Sequence, residues 1–358
     1  MNPSPPSDAL NLPSDYERRQ LFHWLKKLSS VAAWRRILAY YQAWADEAQL
    51  SLREADDQGW GDKTAIPHSH YAIILRGLAH CEEGVKRLGN GDKRVFKFDA
   101  NGEFAMARRA LFFWAEMTSR IEMGENGIDK PHTPRWAEFD ETLTSACQAW
   151  QECGQQILEL RSYDDRAPTF YGQWLQDLLK NMPFPQKLPA LPLALEETFV
   201  RTGSTTPFSG IWEPVEAPAS SFMHLLTGAP KPQAPFKIAG AMNYLHGGSN
   251  APQIAVLIAG ESSARDTTWR LLWEDERYLD GTIPSEEVDY RFTKPDPTPE
   301  HRPATTVSGQ YIWAESGTPA RAAGRWRVES DLAASVVLQK GETLPLHHAS
   351  EVRWILDE

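Results

Sequence analysis

Apolar side chains recur every three or four positions through the first half of the chain, then give way to short apolar runs between turns. The first pattern is that of amphipathic helices. Ser14 and Glu17 stand at capping-box spacing, where hydroxyl and carboxylate each accept from an orphan backbone N–H. Leu21, Leu25, Leu28 and Ala32 follow, resumed by Leu38, Tyr41, Ala45 and Ala48. A second helix is predicted through Tyr71, Ile74, Leu75, Leu78, Val85 and Leu88, ending at Gly89-Asn90-Gly91. The third runs from Phe104 through Leu111 and Trp114 to Ile121, stopped at Gly124. Thr133 as cap and Pro134 in the first turn open a fourth, with Trp136, Phe139, Leu143, Ala146, Trp150, Cys153 and Ile157 as its stripe. Tyr171, Trp174, Leu175 and Leu178 mark a short fifth. Five such helices predict a bundle.

Residues 182–192 hold four prolines, which remove donors and stop helices, so a linker or extended crossing segment is expected. Beyond it the runs Ile254–Ile258, Trp269–Trp273, Val288–Phe292, Trp326–Val328, Ala334–Leu338 and Val352–Leu356 are short, aromatic or β-branched, and bounded by turn residues. The expected fold is therefore α+β: an N-terminal helical bundle over 14–181, a linker over 182–203, and a β-rich C-terminal region.

That region contains a repeat. Ser209-Gly210-Ile211-Trp212-Glu213-Pro214 is echoed by Ser308-Gly309-Gln310-Tyr311-Ile312-Trp313-Ala314-Glu315. Trp269-Arg270, Gly281 to Pro284 and Glu287-Val288-Asp289-Tyr290 follow the first phrase. Trp326-Arg327, Gly341 to Pro345 and Glu351-Val352-Arg353-Trp354 follow the second. Two related small β-modules are predicted, over 204–293 and 304–358, the first enlarged by an insertion near 216–265 that includes Ala241 to Pro252. Gly210 and Gly309 would bend the chain at strand entry, Trp212 and Trp313 would anchor the two cores, and the Gly-to-Pro segments would turn before the last strand. Exposed binding aromatics are the alternative reading of the tryptophans.

The chain has 358 residues and a net charge of −11, a poor balance for phosphate binding, so nucleic acid is not an expected partner. A basic protein partner suits it, as does simple solubility. Neither a secretory start nor an apolar stretch of membrane-spanning length is present, and the three cysteines lack a disulfide spacing. A cytoplasmic protein is expected. His246-Gly247-Gly248-Ser249 resembles part of an oxyanion-hole loop, but no nucleophile elbow accompanies it. His68 and His70 lack further metal ligands nearby, Asp99 to Glu103 lacks the last carboxylate of a calcium loop, and Asp164-Asp165 reads as a solvated pair. No catalytic, cofactor or metal site is expected. Glu274, Asp275, Glu276, Glu286, Glu287 and Asp289 form an acidic stretch, either a solvated face or a surface that complements a basic partner.

A helical half followed by a Ser-Gly-x-Trp module ending in Gly-x-x-Leu-Pro and Glu-Val-x-Trp resembles the bacterial immunity protein seventy-one and seventy-two families of polymorphic-toxin and type VI secretion systems. Ser209 to Pro214, Ser308, Gly309, Trp313, and Gly341 through Pro345 to Trp354 carry the likeness. The resemblance implies a non-catalytic antitoxin that binds a cognate secreted toxin and blocks it. A hydrolase that reverses a toxin's modification, with His246 and Ser249 as suspects, and a peptide-binding adaptor are the rival classes.

Overall fold

The computed structural model describes residues 12–125, 128–159, 166–192, 198–216, 236–258, 261–294, 313–328 and 331–356. Its helices are α1 (Asp15–Leu28), α2 (Val31–Asp57), α3 (His68–Gly89), α4 (Glu103–Glu122), α5 (Trp136–Ile157) and α6 (Gln173–Asn181). The Ser14–Glu17 capping box forms, with Glu17 accepting from the Ser14 amide at 2.9 Å. Where the apolar stripe predicts one helix from Ser14 to Ala48, two form, because Ser29 and Ser30 divert the backbone. Their hydroxyls donate to the Leu25 and Lys27 carbonyls at 2.9 and 2.6 Å, and Ser30 Oγ then caps α2 by accepting from Ala33 N at 3.1 Å. Serine competes with the helix in this local way. Thr133 does not cap α5. Its hydroxyl accepts from Ala65 N at 3.0 Å, and Arg135, at φ 57°, occupies the cap position.

Aromatic stacking fills the helical core. Trp34 lies 3.9 Å from Phe104 between ring centroids and meets Trp150 edge-on at 5.3 Å. Gly84 lets α3 approach this stack, since a Cβ there would sit 2.6 Å from the Phe104 ring.

The strands are β1 (Phe199–Arg201), β2 (Gly210–Val215), β3 (Asn243–Leu245), β4 (Ile254–Ile258), β5 (Glu261–Arg265), β6 (Thr268–Glu274), β7 (Trp313–Glu315), β8 (Gly324–Val328), β9 (Asp331–Leu338) and β10 (Arg353–Leu356). They build two four-stranded sheets, ordered β1-β6-β2-β3 and β7-β10-β8-β9, and a separate β4-β5 hairpin. All pairings are antiparallel. β1 falls where a linker is expected, so the first module begins earlier than residue 204.

The two sheets repeat one another, in a register different from the one the phrases suggest. Val200 pairs with Trp269 as Ala314 pairs with Trp354. Gly210 faces Leu245 as Gly324 faces Leu338. Trp212 Nε1 donates to the Phe208 carbonyl four residues back at 3.3 Å, and Trp326 does the same to Ala322 at 3.3 Å. Trp269 Nε1 donates to the Pro252 carbonyl at 2.9 Å, and Trp354 to that of Pro345 at 2.9 Å. Gly203 N reaches Ala251 O as Gly317 N reaches Leu344 O, each at 2.8 Å. Indole N–H groups cannot be buried without an acceptor at low cost, so these anchors fix both modules in one geometry.

Several expected correspondences are thereby corrected. Gly341–Pro345 matches Gly248–Pro252, so Ala241 to Pro252 belongs to the repeat and not to an insertion. The first module's extra length lies between β2 and β3 and in the β4-β5 hairpin. Ser308 and Gly309 lie outside the described residues, and the partner of Gly210 is Gly324. Trp313 takes the place of Phe199 on an edge strand and is 37% exposed, so Trp326 and Trp354 anchor the second core in its stead. Glu287-Val288-Asp289 is a turn of 3-10 helix (Ser285–Asp289), not a strand.

The helices and the first module share one core. Ile211, Tyr244 and Leu272 pack with the helical residues, whereas Trp212, Trp269, Val200 and Leu245 form a second cluster on the other face of the sheet. The second module has its own core of Ala314, Trp326, Val328, Leu344 and Trp354. Where α1 crosses β2, Arg18 Nε donates to Glu213 at 2.7 Å and Arg270 reaches the same carboxylate at 2.8 Å. Glu213 is fully buried. Glu213→Ala would strand two shielded guanidinium groups and should lower stability by about 3–5 kcal/mol. Guanidinium chloride unfolding followed by circular dichroism measures it; a loss below about 1 kcal/mol would show the bridge to be peripheral.

Candidate partner-binding surface

Leaving β6, the chain turns at Asp275 into a loop that crosses the joint between α1 and α2. Asp275 accepts from Arg277 Nε at 2.8 Å and from the Tyr244 hydroxyl at 3.0 Å, with Lys93 Nζ 3.5 Å away. Arg277 also donates to the carbonyls of Lys26 and Ser29, at 2.9 and 3.2 Å, at the C-terminus of α1. Glu287 accepts from Ala32 N at 3.0 Å at the N-terminus of α2, and Tyr278 donates to the same carboxylate. Cation at a helix C-terminus and anion at an N-terminus both complement the helix dipole. Burial pushes the Asp275 carboxyl up, yet the Arg277 guanidinium, Lys93 and Tyr244 hold it below the usual carboxylate range. Burial depresses Lys93 to about 8, with Asp275 opposing the shift. Tyr278 sits at φ 72°, a conformation that costs a non-glycine residue about 1–2 kcal/mol.

This anchor divides the expected acidic surface. Asp275 and Glu287 are buried and belong to the scaffold, which corrects their assignment to a partner-facing patch. Glu276, Glu286 and Asp289 are exposed, Glu274 is half-buried, and Asp280 joins them. Glu286 meets Lys26 at 2.6 Å. The acidic spacing does not announce the apolar residues among them: Leu279 is 69% exposed, Ile283 42% and Val288 79%. Leu279 rests against Gly91 past the end of α3, where a Cβ would come within 2.7 Å of its side chain. Large exposed apolar side chains interspersed along the loop with carboxylates, on a loop held by buried charges, suit an apolar contact within a basic surface.

Residues 12–168 match the family model described as Immunity protein 71, and residues 194–291 match Immunity protein 72. Each match assigns its own part of the chain to an immunity protein family. The second match ends at residue 291, where this loop ends, and leaves the second β-module outside it. No curated protein and no solved structure matches the chain.

Elsewhere in the chain, the residues singled out for chemistry have structural surroundings. His246 is buried beneath the turn that repeats in the second module, its ring 5.5 Å from that of Tyr244. Ser249 supplies that turn, its amide donating to the His246 carbonyl at 3.1 Å. His68 pairs with Asp56 at 3.0 Å, and Asp99 accepts from Asn101 N at 2.8 Å in a turn. Asp164 and Asp165 lie outside the described residues. Among the described residues, no group of three or more potential ligands is placed to hold a metal, and no helix is long and apolar enough to cross a membrane.

Asp275→Ala should cost about 3–5 kcal/mol, because Arg277 and Lys93 lose a buried partner. Glu276→Ala should change stability by less than about 0.5 kcal/mol. Equal effects in chemical denaturation would contradict the division between anchor and surface. Burial also pushes both His246 and His23 down to about 4, below the unfolded value of about 6.5. Between these values the unfolded chain binds more protons, so the stability these imidazoles contribute above pH 6.5 is lost as pH falls through about 4. His246→Gln should flatten the decline of the denaturation midpoint across that window; an unchanged slope would show that His246 does not drive it.

Proposed function

We propose that the chain neutralises a cognate secreted toxin in the cytoplasm of the producing cell by stoichiometric binding, without chemistry of its own. The observation that carries this reading is the exposure of Leu279, Ile283 and Val288, interspersed along the loop with Glu276, Asp280, Glu286 and Asp289, on a loop fixed to the helices by buried charges. The immunity protein families support it. A rigid loop loses little conformational freedom on binding. Its carboxylates would speed encounter with a basic toxin surface, and its apolar side chains would supply short-range contact. Tight binding of this kind can close an active site or block a movement the toxin requires. A polymorphic-toxin system with type VI delivery is the setting this function fits.

Co-expression with the adjacent toxin gene tests the reading. The unaltered chain should form a one-to-one complex and restore growth. Val288→Asp, at a surface position, should leave the melting temperature unchanged while weakening the complex at least about tenfold, or about 1.4 kcal/mol. Absence of any complex would sink the toxin-binding reading. Full affinity in Val288→Asp and Leu279→Asp would remove this loop from it.

A further inference from the structure

The loop that leaves β6 encloses a hollow of its own. Glu276, Tyr278, Leu279, Asp280, Thr282 and Pro284 line it, and its volume is about 360 Å³. Small-molecule sites run from about 300 to 1,000 Å³, so this hollow suits one side chain better than a larger ligand. Its shape is set before any partner arrives. Tyr278 holds φ 72°, its hydroxyl accepts from Val31 N at 2.9 Å, and Leu279 rests on Gly91.

The charge left over around the hollow is negative. The buried cations beneath it, Lys93 and Arg277, are balanced by Asp275 and Glu287. Past Gly91, Arg87 and Arg94 are balanced by Asp92 and Glu103. Glu276 and Asp280 remain: both are exposed, and among the described residues neither meets a cation. Burial, and after it the charge of Glu276, pushes the Glu274 carboxyl up, so a third acid stands close by.

Arginine gains most from a two-oxygen fork or an aromatic face. Only Glu276 could offer the fork. One oxygen of Asp280 already accepts from the Thr282 amide and hydroxyl, at 2.9 and 2.7 Å. The Tyr278 ring already has Lys93 Nζ 4.4 Å and the Arg277 guanidinium 5.4 Å from its centroid. An ammonium is a compact charge with three donors, suited to two separate carboxylates, and its stem is apolar. Leu279, 69% exposed, and Pro284 supply an apolar wall for that stem. We propose that the hollow takes one lysine side chain of the toxin, its methylenes along Leu279 and Pro284 and its ammonium between Glu276 and Asp280. This inference rests on the toxin-binding reading and names the group that the loop receives.

The test uses the full chain and the toxin domain encoded by the adjacent gene, with its catalytic side chain replaced. The Glu276→Gln/Asp280→Asn double variant keeps the size of the lining side chains and removes their charge. Titration calorimetry should show it binding at least about tenfold more weakly, with an unchanged melting temperature. Reductive methylation of the toxin's lysines in the saturated complex, read by mass spectrometry, should spare one lysine with the unaltered chain and modify it with the double variant. Full affinity in the double variant overturns the inference, and so does a set of spared lysines that is the same with both chains. Protection of a toxin arginine from phenylglyoxal in place of the lysine overturns it too. Lost affinity in Val288→Asp beside full affinity in the double variant sinks the lysine and leaves the loop's role standing. Failure of the unaltered chain to bind the toxin overturns both.

Discussion

Four buried charges, Lys93, Asp275, Arg277 and Glu287, hold the outgoing loop of the first sheet to the joint between α1 and α2. Two are positive and two negative, so removing any one of them leaves a net buried charge. Desolvation penalises each member alone, and only mutual pairing and the helix-end groups offset it. Lys93, from the segment after α3, donates to the Arg277 carbonyl, so a third helical element is tied to the same point. This arrangement explains why the helices and the first module cannot be treated as separate bodies. Their apolar surfaces merge in one core, and the polar groups at the seam find partners only across it.

The repeated sheets show which part of a module is constrained. Two tryptophans, two glycine-bearing turns and one proline carbonyl recur in matching hydrogen bonds because they close the interior and satisfy buried donors. The opposite face carries no such requirement. One copy uses it to receive a helix of its own chain; in the other, Val337 and Trp313 on that face are exposed. Identical topology thus supports one face that packs on helices and one that leaves Val337 exposed.

Much of the helical half was legible from residue spacing. The capping box at Ser14, the end of α3 near Gly91 and that of α4 near Gly124 depend on local hydrogen bonds and on φ values open to glycine. The split at Ser29 and Ser30 was hidden because the apolar stripe continues across it, while two hydroxyls compete with the backbone. In the β half, the existence of two modules was readable and their alignment was not. The phrase around Trp313 looks like that around Trp212, yet strand pairing puts Trp326 at the matching position. The candidate surface was half visible: its acidity shows in the sequence, but nothing in the spacing separates Asp275 and Glu287 from the acids beside them.

By itself the sequence determined the order of a helical layer and two β-modules, because periodicity, caps and turns act over a few residues. Tertiary structure alone decided which glutamates became anchors, which tryptophans became core, and which sheet face took a helix. Those outcomes depend on partners far along the chain, as when Arg277 reaches Lys26 and Ser29, or Glu213 meets Arg18. A carboxylate's role follows from whether a cation or a helix end waits within hydrogen-bond reach once the chain has closed.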